Sequence, residues 1–105
     1  MKRSDRKVLE EFAGCVRLAF PLARIWAFGS RARGDARWYS DFDICVVTAE
    51  PSSTTQPVIW KIAWEVAFAH GLVITALCYS EEEFSQGPRA ASPLVHNILK
   101  EGVAA

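Results

Sequence analysis

GSRARGDARWYSDFDICVVT, residues 29–48, is the stretch on which the reading of the chain turns. Asp41 and Asp43 stand one residue apart at the front of an apolar run. A strand has a side-chain period of two, so a strand over 41–48 puts both carboxylates on one face, about 7 Å apart. Phe42, Ile44 and Val46 then point to the opposite face and anchor the strand in a core. Paired hard oxygens at that separation suit a divalent cation, Mg2+ above all, which takes few protein ligands and keeps sites for water and phosphate. Upstream, Ala23 to Phe28 reads as a strand running into Gly29-Ser30. A Gly-Ser turn that opens a helix presents backbone N–H groups and a hydroxyl to phosphate oxygens. Ser30 and Asp41 are only eleven positions apart.

Gly-Ser, then Arg-Ala-Arg-Gly, then Ser-Asp-x-Asp before hydrophobics resembles the minimal nucleotidyltransferase domains of the DNA polymerase β-like superfamily. Residues 79–84 (YSEEEF) and 92–102 (SPLVHNILKEG) resemble the tail of the same domains. The resemblance implies an α/β (α+β) fold, a small mixed sheet covered by helices. It implies that Gly29, Ser30, Arg33 and Ser40 bind a nucleoside triphosphate, and that Asp41 and Asp43 carry Mg2+ or Mn2+ and are the catalytic acids. It further implies transfer of AMP from ATP to a hydroxyl, and a role as antitoxin to a helical HEPN toxin. One feature departs from the family pattern. The full three-carboxylate version has a third acid on a neighbouring strand, expected here at 72–79, and that segment contains none. Thr75 sits in its middle, and a threonine hydroxyl is neither a good Mg2+ ligand nor a base near neutral pH.

A chain of 105 residues is read as one domain over 1–105, and with half its residues hydrophobic it can bury a core. Lys plus Arg and Asp plus Glu number twelve each, so no global basic field draws long nucleic acid. The three cysteines, 15, 45 and 78, lie far apart inside apolar segments, which fits packed thiols in a reducing compartment. No apolar run approaches the roughly 20 residues of a membrane span, and Met-Lys-Arg leads into charged residues, so a cytoplasmic protein is expected.

The remaining elements follow from periodicity and punctuation. A first helix is expected over 4–20, capped by Ser4 and ended by Pro21. Glu50 to Gln56 reads as a polar loop, and Pro57 as the first residue of a helix to His70 with Gly71 as its stop. That helix carries two apolar stripes. Val58, Ile59, Ile62, Ala63, Val66 and Ala67 make the core face, and Trp60, Trp64 and Phe68 make a second, which packs either under the terminal helices or against another chain. Trp38 and Tyr39 lie in a connection, where stacking on a base and filling the domain edge both stay open. A strand over 72–79, a capping box from Ser80 to Glu83, and a last helix from Pro93 to Gly102 complete the chain.

Two functions are consistent with these residues. One is a metal-dependent nucleotidyltransferase. The other is a module that keeps the fold, binds nucleotide or a partner, and has lost the reaction; the surplus aromatic stripe would then serve a HEPN-type partner or a homodimer.

Overall fold

The computed structural model describes residues 1–105. Its elements are α1 (Arg3–Ala19), β1 (Arg24–Phe28), α2 (Gly29–Arg33), β2 (Phe42–Thr48), α3 (Ser52–His70), β3 (Ile74–Ser80), α4 (Glu81–Ser85), a 3-10 helix (Pro88–Ala91), α5 (Pro93–Glu101) and β4 (Val103–Ala104). The strands form one mixed sheet in the order β3-β2-β1-β4. β1 runs antiparallel to β2 and β4, and β2 runs parallel to β3. A parallel pair needs a long crossover, and α3 supplies it.

Alternation along the strands sorts residues between two faces. Ile25 and Ala27, Phe42, Ile44 and Val46, and Ala76 and Cys78 join Val8, Leu9, Phe12 and Val16 of α1 and Ile59, Ala63 and Val66 of α3 in the main core. On the other face Cys45, Val47 and Tyr79 pack with Phe84 of α4 and Val95 and Ile98 of α5, with half-buried Trp26 and Phe28 beside them. The cysteines are free and two are buried; burial pushes the Cys45 thiol up to about 12, consistent with packing rather than reactivity.

Several local expectations hold and several change. The Ser80–Glu83 capping box forms, Ser92 caps α5, and Gly71 ends α3 in the left-handed conformation. Ser4 is not a cap: α1 begins at Arg3 after Lys2, which makes no capping bond, and ends at Ala19 ahead of Pro21. The expected loop before Pro57 is helical. α3 starts at Ser52, directly after Pro51, and Pro57 is its sixth residue. A proline so near the start costs a single internal bond, and Thr55, wholly buried, donates its hydroxyl to the Ser52 carbonyl at 3.3 Å. Trp60, Trp64 and Phe68 do not pack under the terminal helices; they are 52, 67 and 76 % exposed. β4 has no counterpart in the sequence reading, because two residues carry no period. No helix is long and apolar enough to cross a membrane.

Candidate functional site

Antiparallel pairing of β1 with β2 sets Phe28 opposite Asp43. The residue after Phe28 is Gly29, so the chain leaves β1 beside the carboxylate that enters on β2. Gly29 has φ +73°, and a Cβ built on it would lie 2.6 Å from Asp43 Oδ2. Only a glycine lets the backbone come this close. α2 begins at once, with Phe28 in extended conformation at its cap position, and Gly34 closes it in the left-handed conformation. The early N–H groups of a helix have no partner inside it, which leaves the Gly29-Ser30 backbone open to an acceptor.

Asp43 occupies the sheet face that carries Cys45 and Val47, the face covered by α4 and α5. It is half-buried, and Asp41 just before the strand is exposed. Burial, and secondly the negative charge of Asp41, raise the Asp43 pKa above its ordinary value. Two acids thus crowd one another beside a glycine turn. A divalent cation would relieve that repulsion, and the two carboxylates supply hard oxygens suited to it.

The arginines divide unexpectedly. Arg31 is buried, with Nη1 donating to Asp5 Oδ1 at 2.9 Å, Nη2 to the carbonyls of Ser40 at 2.8 Å and Trp38 at 3.3 Å, and Nε to Ser40 at 3.2 Å. It therefore pins α1, α2 and the segment leading into Asp41 together, and is not a surface residue facing phosphate. Asp5 Oδ2 has no partner. Sequence reasoning missed this pair because the two residues meet across 26 positions, which no local pattern reports. Arg33 is exposed and pairs with Asp35 at 3.2 Å. The Ser40 hydroxyl accepts from the Arg37 N–H at 3.0 Å and so shapes the turn before Asp41. Trp38 and Tyr39 are exposed, edge to face with ring centroids 5.5 Å apart. Solvent, not the domain edge, is what they meet.

On β3 the residue in register with Asp43 is Thr75. Glu50 and Glu81 to Glu83 lie at the far end of the sheet. Thr48 is in register with Ser80, five residues and about 17 Å from the Asp43 level, and Glu81 to Glu83 follow directly after it. Glu81 pairs with Arg24, and Glu83 with Arg89. The Ser80 backbone N–H, followed by the Ser52 hydroxyl and Arg89, holds the Glu83 carboxyl down to about 2. No group of three or more His, Cys, Asp or Glu side chains gathers to hold a metal.

The family model for a nucleotidyltransferase domain matches residues 9–104. A probable protein adenylyltransferase MntA of Haemophilus influenzae is 52 % identical over 27 residues, 26 % of this chain and 24 % of that protein. A putative protein adenylyltransferase of Methanocaldococcus jannaschii is 28 % identical over 101 residues, 94 % of this chain and 95 % of that protein. The fold superposes on a chain of a toxin–antitoxin crystal structure with AMP-PNP at TM-score 0.65, with 22 % identity, covering 90 % of this chain and 69 % of that one. It also superposes on a chain of the complex between a tri-AMPylated Shewanella oneidensis HEPN toxin and its MNT antitoxin, at TM-score 0.59 and 18 % identity, covering 95 % and 70 %. With a family match along nearly its whole length and the small mixed sheet that the family builds, the chain belongs to the nucleotidyltransferase domains of polymerase β-like fold.

Proposed function

We propose that this chain is a nucleotide-binding module that takes ATP with Mg2+ or Mn2+ between Gly29-Ser30 and the Asp41–Asp43 pair, and works on or beside a helical HEPN-type partner. The observation that carries the reading is the approach of the Asp43 carboxylate to the Gly29 backbone. Open N–H groups and the Ser30 hydroxyl would receive the phosphate oxygens, while the two acids would hold the cation that travels with them. Arg33, though exposed and paired with Asp35, lies on the same short helix and would add charge to the phosphate tail. Ser40 would act through the turn it closes. Relatives named as adenylyltransferases favour ATP as the nucleotide. The superposed toxin–antitoxin chains favour the partner class.

A second reading, transfer of AMP to a partner hydroxyl, is favoured by two carboxylates close enough to repel one another, with Asp43 against the Gly29 turn. When bound, the cation would neutralise charge on the phosphoryl oxygens and on the departing pyrophosphate. This chain's own residues would hold the phosphates between the Gly29-Ser30 turn and the two acids. They offer no acid at the Thr75 position to help take the hydroxyl proton, so the acceptor itself or water must do so.

Thermal unfolding separates these readings in two stages. Millimolar ATP with Mg2+ should raise Tm by several degrees, since each kcal/mol of binding is worth about 4–8 °C at this size. The Asp41→Asn, Asp43→Asn double variant should lose the shift. An unchanged Tm in the wild type would overturn nucleotide binding. Labelled ATP mixed with the partner then tests transfer: label on the partner that the double variant does not deliver establishes the second reading, and no label leaves the first alone.

A further inference from the structure

β3 is an outer strand of the sheet, and residues 71–80 contain no charge and no proline, the devices that normally blunt an edge. Side chains blunt it instead. Trp60 Nε1 donates to the Ala76 carbonyl at 3.0 Å, and Arg89 Nη2 to that of Cys78 at 3.4 Å. Both carbonyls point outward, so an added strand would have to displace both donors. Whatever covers this side must therefore do so through side chains.

Beside that blocked edge, α3 and β3 border an apolar groove of about 580 Å³ that includes Trp64, Phe68, Leu72 and Val73. The Trp64 and Phe68 rings stack, centroids 5.3 Å apart and planes at 14°, and both face solvent. At 100° per residue Trp60, Trp64 and Phe68 fall within a stripe about 80° wide. Lys61 and Glu65 lie along one flank of it, both exposed, and neither makes an ion pair.

This pattern is self-complementary. When two copies of one helix pack antiparallel about a twofold axis, each flank meets the same flank of its mate. With the axis near Trp64, Trp60 of one copy meets Phe68 of the other, and Lys61 meets Glu65 twice. A parallel pairing would not match those charges. We infer that α3 is the seam of a homodimer, two copies pairing antiparallel through Trp60, Trp64 and Phe68 with reciprocal Lys61–Glu65 ion pairs. A twofold interface of this kind is closed and leaves the Gly29–Asp43 turn outside it.

The inference does not depend on nucleotide binding, so it is tested without nucleotide. Sedimentation of the wild type at about 100 µM should give the dimer, as a Kd in the micromolar range requires. Trp64→Lys should weaken association by at least about 30-fold, the loss typical of a buried aromatic anchor, with an unchanged circular dichroism spectrum. K61E and E65K each set like charges together and should each associate about tenfold more weakly. Mixed in equal amounts they should recover the dimer, because an all-acidic flank then meets an all-basic one. A wild type that stays monomeric at that concentration overturns the seam, and so does a mixture no stronger than its components. Monomeric wild type that instead binds a HEPN-type partner, with binding lost in W64K, overturns self-pairing and gives the stripe to that partner.

Discussion

Under α1 and α3 the sheet meets a continuous cluster of 17 buried residues, whereas under α4 and α5 it meets only six. The thinner side is the one that carries Asp43, in the row that continues as Cys45 and Val47. An acid tolerated on the thick side would need burial with a partner, as Asp5 has in Arg31. On the thin side it lies near solvent at the mouth of the sheet and needs none. The difference suggests that one face holds the domain together while the other is spared for a ligand.

Substitutions on the two faces should differ accordingly. Phe12→Ala, at the centre of the thick side, should cost about 3–5 kcal/mol in chemical denaturation. Ile98→Ala, in the smaller cluster, should cost about 2 kcal/mol. Equal losses would break the comparison. Arg31→Met leaves Asp5 buried and unpaired and should cost about 3–5 kcal/mol, with the melting response to ATP and Mg2+ lost as well, because the segment ahead of Asp41 is released.

Smaller effects sharpen the account at the site. Gly29→Ala puts a Cβ against Asp43 in a backbone conformation that alanine adopts poorly, and should cost about 1–3 kcal/mol together with the nucleotide response. Asp43→Asn should act in the opposite sense on the free protein. A raised folded pKa means the native state holds the proton more tightly than the unfolded chain, so stability falls as pH rises from the ordinary carboxylate value through the raised one. Above the raised value the whole cost is present. The asparagine variant should therefore melt slightly higher than wild type at pH 7 and the same near pH 3, while losing the Mg2+ and ATP response. Glu83 behaves conversely: its contribution is full above about 4.5 and is lost as pH falls toward about 2, so Glu83→Gln should flatten the acid limb of a melting-temperature profile.

How much of this was legible in the chain depends on how local each cause is. The course from Gly29 through Thr48 could be read because a glycine turn, a two-residue period and an apolar run all act within a few residues. The same holds for the Ser80–Glu83 box and the Gly71 stop. Arg31 could not be read, since its burial is decided by Asp5, 26 positions away. Pro57 misled because its position in a helix depends on where the helix begins, and Pro51 and buried Thr55 moved that start upstream. β4 is held by β1, not by its own sequence. The absence of an acid on β3 was visible, and the register adds which residue stands at that level, Thr75.

Amide resonances during a titration with ATP and substoichiometric Mn2+ report the position of the cation directly. The account predicts that signals of Gly29, Ser30, Asp41 and Asp43 broaden first, with those of Trp60 and Trp64 on α3 unaffected. Broadening centred on Glu81 to Glu83 at the opposite end of the sheet, or spread evenly over the chain, would contradict it.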